Sequence, residues 1–397
     1  MSSRLAIDGG EPVRSTLLPY GRQSLDEEDI QAVVEVLRSD WLTTGPKVPE
    51  FEEAFANYVG AKYAVAVSSG TAALHAAVFA AGIGPGDEVI VPPITFAATA
   101  NVVVFQGGIP VFADVDPDTL LLNPAVAEAK ITPRTKAIIA MDYAGQPCDY
   151  DSLREIVNRN NLILIADACH ALGATYKGRK VGTLAGLNVF SFHPVKHITT
   201  GEGGMITTDN LEFAERMRIF RNHGITTDHR QRELQGSWFY EMIDLGYNYR
   251  LTDFQCALGL SQLRKLGKCM IRRQEIAHRY DHAFAEQLEI FPLTVRPGVS
   301  HAYHLYVIKL VLERVRMNRA EVFSALRAEN IGVNVHYIPV HLHPFYYKRF
   351  GTKPGDCPIA EGAYERILSL PIFPRMSDQD VEEVITAVNK VLTISHG

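Results

Sequence analysis

From Lys62 to about Asp209 short apolar runs alternate with stretches of helical period. This rhythm predicts an α/β domain built on a mostly parallel, covered sheet. Strands are expected at 63–67, 88–91, 110–113, 136–141, 162–166, 189–192 and 204–207, with helices over 71–81, 95–106 and 150–160. A polar stretch from about Asn222 to Arg250 has no regular period, and a long helical pattern then runs from near Thr252 to about Gln287. The boundary between a large domain, 1–260, and a small α+β domain, 261–397, is expected inside that helix. Further on, a strand over 304–310, a helix over 319–329, a strand over 332–338 and a helix over 381–391 are predicted, with Ser377 and Asp380 spaced as a capping box.

With 397 residues, 47% of them hydrophobic, the chain can bury one large core and a smaller companion. Its net charge of -6 is dispersed, so no field for nucleic acid is evident, and phosphate binding must be local. The five cysteines, Cys148, Cys169, Cys256, Cys269 and Cys357, are odd in number and lack CxxC spacing, which argues against a disulfide framework and a cysteine-only zinc site. The N-terminal MSSRLAIDGGEPVRS has no apolar signal region, and no run of about 18 apolar residues occurs. A cytoplasmic protein without a membrane partner is expected.

Three segments carry chemistry. VAVSSGTAAL, residues 65–74, turns from an apolar strand through small residues into an Ala-rich helix. Such a turn presents backbone amides, the helix dipole and the hydroxyls of Ser69 or Thr71 to an anion, although an ordinary N-cap reads equally well. LILIADACH, 162–170, is a buried-strand pattern ending in Asp167, where open α/β sheets bind ligands; a helix cap is the plainer reading. VFSFHPVKHITTGEGG, 189–204, places Lys196 on an apolar, Gly-flanked loop, where burial favours the neutral, nucleophilic amine; a solvent-facing lysine is the alternative. Together they supply a phosphate cup, an anion for a pyridine nitrogen and an amine for an aldehyde, which is what pyridoxal 5'-phosphate (PLP) chemistry requires.

SGTAAL at 69–74, DACH at 167–170, FSFHPVK at 190–196 and GYNYRLTDFQ at 246–255, in this order, resemble the signature segments of the DegT/DnrJ/EryC1 family of sugar aminotransferases, over most of the chain. The resemblance implies the type I PLP-dependent aminotransferase fold. It further implies that Lys196 bonds to the cofactor and moves protons, and that Asp167 pairs with the ring nitrogen. Gly70, Thr71 and Ser191 would hold the phosphate, Phe96 would stack on the ring, and His170, where many members carry Gln, would support its other face or hydroxyl. Asn248 would reach the phosphate in a neighbouring subunit, so a homodimer with shared active sites is expected. Glutamate is the expected amino donor.

GVNVHYIPVH at 332–341 and HPVKHITT at 193–200 resemble the branch that aminates C4 of a UDP-linked 4-keto-6-deoxy-N-acetylhexosamine in pseudaminic acid biosynthesis, except that His197 stands where Pro is expected. By that resemblance Tyr20, Leu42, Thr43, Thr44, Gly45, Ser69, Ser191, Arg250, His336, Tyr337, Ile338 and Pro339 would contact the nucleotide sugar. Core or hinge packing remains the plain reading of Tyr20, Tyr337 and Pro339. His301, His304, His336, His341 and His343 form a histidine-rich region, but HExxH is absent and no metal is expected. Rival readings are a dehydratase of the same family, which Lys196 opposes, the enzyme making UDP-4-amino-4-deoxy-L-arabinose, and a PLP-binding regulator, for which no DNA-binding helix or basic patch is visible.

Overall fold

Seven strands make the central sheet: β1 Tyr63–Val67, β2 Glu88–Val91, β3 Ile109–Phe112, β4 Thr135–Met141, β5 Ile163–Asp167, β6 Leu187–Ser191 and β7 Gly204–Thr208. The computed structural model describes residues 4–227 and 229–394. The strand order is β1-β7-β6-β5-β4-β2-β3, and β7 runs antiparallel to both neighbours while the other six are mutually parallel. These strands are almost wholly buried, as their unbroken Val, Ile and Ala runs require when helices cover both faces. The helix Gly70–Ala80 is apolar nearly all round and correspondingly buried, whereas Tyr150–Asn160 buries one stripe, Tyr150, Leu153, Ile156 and Val157. The chain is thus α/β with a mainly parallel mixed sheet.

A 32-residue helix, Asp253–Phe284, joins two hydrophobic cores. Cys256, Leu260, Leu263 and Leu266 belong to the large core, and Ile276, Ala277, Tyr280 and Phe284 to the small one. The boundary expected at 260/261 lies within this helix; the change of core comes between Met270 and Ile276. The small core is completed by β8 Ile290–Pro292, β9 Tyr306–Leu310 and β10 Ile367–Leu370, with the helices Arg319–Ala328 and Asp378–Ile394. The expected capping box is formed: Ser377 N–H donates to Asp380 Oδ2 (2.8 Å) and Asp380 N–H to Ser377 Oγ (3.1 Å).

One predicted element is absent. Residues 332–338 do not form a strand: Gly332 N–H donates to Leu18 O (2.7 Å) and Asn334 pairs with Ser369 in an isolated bridge. With successive residues bonded to different partners no ladder develops, and the segment is an irregular arm ending at His336 and Tyr337. Other elements were not among those expected, including the helices Glu27–Leu37, Lys47–Val59 and Leu211–Phe220, and strands β8 and β10.

Candidate active site

The carboxyl ends of β4, β5 and β6 open onto a cleft of about 520 Å³, lined among others by Ser69, Gly70, Thr71, Thr99, Met141, Asp167, His170, Ser191, Lys196, His304, Asn334, His336 and Tyr337. Parallel sheets present ligand sites at this edge. On one side the chain leaves β1, and Ser69 caps the helix Gly70–Ala80, its Oγ accepting from Ala72 N (3.0 Å). The plain N-cap reading is therefore realised, and the first-turn amides of Gly70 and Thr71 still lack intrahelical acceptors. A Cβ at Gly70 would lie 2.8 Å from Ser191 Cβ, and one at Gly204 would lie 2.4 Å from Ser69 O. Both glycines are thus required for the turn, the end of β6 and the start of β7 to close into a shallow cup.

Asp167, the last residue of β5, is buried in register with Met141 and Val189. Thr99 donates to its Oδ2 (2.7 Å), Thr99 is in turn bonded to Thr95 Oγ1 (2.6 Å), and Cys169 N–H donates to Oδ1 (3.3 Å). A carboxylate so held keeps one orientation.

Lys196 lies half-buried on the loop after β6. That loop is pinned by Thr199 Oγ1 and Thr200 N–H, both donating to Phe192 O, at 2.9 and 3.1 Å. Burial lowers the Lys196 amine below its usual range, against the opposing pull of Cys169 and Asp167. Its Nζ stands 3.4 Å from His304 Nε2. His170, His304 and His336 line the same cleft, and burial, then the charge of Lys196, keeps all three neutral, with His336 held down at about 3. His170 Nε2 is bonded to Tyr337 OH (3.1 Å), and its Nδ1 is buried without a partner among the described residues.

Of the expected site residues, Tyr20, Ser69, Gly70, Thr71, Phe96, Asp167, His170, Ser191, Lys196, His336 and Tyr337 meet in this cleft. Thr44, Gly45 and Arg250 line a different cleft, of about 510 Å³, with Arg218 and Arg221, and Arg250 donates to Asn222 Oδ1 (2.7 Å). Leu42, Thr43, Asn248 and Ile338 are exposed and Pro339 is buried, all apart from the lining of the first cleft. His197 also stays out of it: the ring is buried and its Nε2 donates to Ala302 O (3.0 Å). The histidine-rich region does not converge, since His301 stacks on Tyr303 and His341 pairs with Glu361. Among the described residues no three His, Cys, Asp or Glu side chains group as a metal site. Thr99 and Asn334 were not anticipated as site residues, and His304 only as a member of that region. Thr99 falls on the site-facing side of the helix Ala98–Phe105, a signal that becomes readable once Asp167 is placed beside it.

Residues 23–389 match the DegT/DnrJ/EryC1/StrS aminotransferase family. The chain belongs to this family. It is 46% identical over 381 residues to the spore coat polysaccharide biosynthesis protein SpsC of Bacillus subtilis, covering 96% of this chain and 98% of that protein. An uncharacterized protein of Methanocaldococcus jannaschii is 48% identical over 382 residues, covering 96% and 99%. Among solved structures, Helicobacter pylori PseC, an aminotransferase involved in the biosynthesis of pseudoaminic acid, superposes with a TM-score of 0.89 at 34% identity, covering 95% of this chain and 100% of that one. The protein is accordingly a PLP-dependent sugar aminotransferase. Its residues fit that cofactor: a cup that a Cβ at Gly70 would fill, a helix N-terminus for a dianion, a fixed buried carboxylate, and a desolvated amine facing it across the cleft. Among the described residues no helix is long and apolar enough to cross a membrane.

Proposed function

We propose that the enzyme transfers the amino group of glutamate to C4 of a UDP-linked 4-keto-6-deoxy-N-acetylhexosamine, working in the cytoplasm as a homodimer. The observation that carries the reading is the meeting of Lys196, Asp167 and the Ser69–Thr71 turn around one cleft. PLP, when bound, supplies an electron sink for the carbanion left as a proton departs from the amino acid. Lys196 Nζ is the group that takes and returns that proton, and its desolvation favours the neutral form able to do so. Asp167, aligned by Thr99, would keep the ring nitrogen protonated. Gly70, Thr71 and Ser191 would hold the phosphate, and Phe96 and His170 would flank the ring.

The sugar assignment is supported by the segments 193–200 and 332–341 and by the similarity to PseC. Tyr20 and His336, whose rings lie 5.2 Å apart at the cleft, are its proposed contacts in this chain, together with Ser69 and Tyr337. Asn248, Arg250 and the 42–45 loop, which lie outside their own chain's cleft, would serve the partner subunit's site. This placement supports the dimer.

The test is the visible spectrum of the protein through both half-reactions. Glutamate should convert the bound cofactor to its pyridoxamine form, and the UDP-4-keto-N-acetylhexosamine should restore it. Restoration by a UDP-4-keto-pentose instead would move the assignment to the 4-amino-4-deoxy-L-arabinose branch. Lys196→Ala should stay folded and lose turnover by at least about a thousandfold, as expected for a nucleophile and proton carrier; retained transamination would overturn the assignment of Lys196.

A further inference from the structure

His304 sits closer to the Lys196 amine than the proposed chemistry requires. Its segment is fixed from three sides. Ala302 N–H donates to Gly145 O (2.8 Å) and Leu305 N–H to Ala144 O (3.1 Å). Gly145 permits this approach, since a Cβ there would lie 2.8 Å from Tyr303 N and 3.0 Å from His304 N. From behind, Arg273 of the long helix, itself fully buried, donates from Nη1 to Tyr303 O (2.9 Å), Ile372 O (3.0 Å) and His304 O (3.5 Å). His197, next to Lys196 in the chain, bonds Ala302 O and so ties the lysine loop to the segment that carries His304.

The ring has two nitrogens and one partner. Nε2 faces Lys196 Nζ at 3.4 Å, while Nδ1 is buried with no hydrogen-bond partner among the described residues. A proton on Nδ1 would be an orphaned buried N–H, whereas a bare Nδ1 leaves only a weak acceptor unsatisfied. The favoured tautomer therefore carries its proton on Nε2, aimed at the lysine. A ring N–H can donate only to an amine with a free lone pair.

We propose that His304 is a positioning residue that holds Lys196 as the neutral amine by donating from Nε2 to Nζ. The proposal rests on Lys196 being the cofactor lysine. The surroundings agree with it. His304 faces the amine of Lys196, His170 (ring centroids 4.2 Å apart), His197 (5.7 Å) and the cation of Arg273, and burial, with the Arg273 cation behind it, keeps the ring from becoming imidazolium. Lys196 itself faces Asp167 and Cys169, which favour the ammonium, and the histidine N–H opposes them. His197 acts one step removed, by fixing the loop.

The test reads PLP capture by the full-length chain freed of cofactor, as a function of pH, with borohydride trapping and mass mapping to locate the label. In His304→Phe, which keeps the ring and removes the donor, the midpoint for capture at Lys196 should rise by about one pH unit, and capture near neutral pH should slow roughly tenfold. His304→Gln, which restores an N–H, should bring the midpoint back toward that of the parent. A midpoint that stays put or falls in His304→Phe overturns the proposal. Label found on another lysine in the parent chain overturns the assignment of Lys196 and this proposal with it, which keeps the two failures distinct. Should the Phe variant not fold, ¹⁵N spectra of histidine-labelled parent protein decide the matter: a proton on His304 Nε2 is expected, and one on Nδ1 overturns the proposal.

Discussion

The side chains around Asp167 show how a single carboxylate is prepared. Its Oδ2 is the terminus of a hydroxyl chain that runs from Thr95, in the bend after β2, through Thr99 on the helix Ala98–Phe105 to Asp167. Thr99→Val keeps the shape and deletes the donor. Loss of one hydrogen bond to a charged acceptor, about 1.5–3 kcal/mol, should slow the single-turnover reaction with glutamate by roughly ten- to a hundredfold while PLP content is retained. A rate within twofold of the parent would show that Thr99 does not orient Asp167. Gly70 marks the other wall. In Gly70→Ala the new methyl meets Ser191 and must push β6 from the turn, so PLP dissociation should rise roughly tenfold, measured by dialysis and absorbance. Asp167 and Lys196 were readable as candidates from residue type and context alone, because a carboxylate ending an apolar strand and a lysine in a glycine-flanked loop are costly choices. Thr99 was not, because a threonine in an apolar helix signals nothing until its neighbour is known.

At the scale of elements, strands buried on both faces gave the clearest signal, and each of the seven is found within two residues of its expected start. The segment 332–338 looked like one more strand because Val333 and Val335 alternate with polar residues. Its backbone instead divides its bonds between Leu18 and Ser369, and which partner lies alongside is not written in local sequence. Arg273 belongs to this scale. It lies on the helix Asp253–Phe284 and bonds carbonyls of two other segments, 303–304 and 372, at the junction of the two cores. Among the described residues it has no carboxylate partner, and burial presses its guanidinium down to about 10. Arg273→Met should leave those carbonyls unpaired and cost about 2–4 kcal/mol, read as a lower urea midpoint. An unchanged midpoint would mean that water replaces the guanidinium.

For the molecule as a whole, the two cores share one long helix, and buried histidines are distributed through both regions. Burial holds His75 at about 4 and His301 and His336 at about 3. In the unfolded chain each ring takes up its proton near 6.5, so folding stability is complete above that pH and declines as pH falls toward 4. Each ring should cost roughly 2 kcal/mol at pH 5, and the urea midpoint should drop steeply between pH 7 and pH 5. A flat profile would show that these rings are protonated in the fold. The hydrophobic period along the chain determined the covered parallel sheet and the long helix, because burial acts on local patterns of side chains, and the chemical segments and their order stood in the sequence as motifs. Tertiary structure alone decided that Arg250, Thr44 and Gly45 line a cleft apart from Lys196, that His197 packs against the backbone and not the ligand space, and that His304 touches the lysine amine. These are contacts between residues distant in sequence, set by how layers pack and how buried polar groups find partners, and no local pattern encodes them.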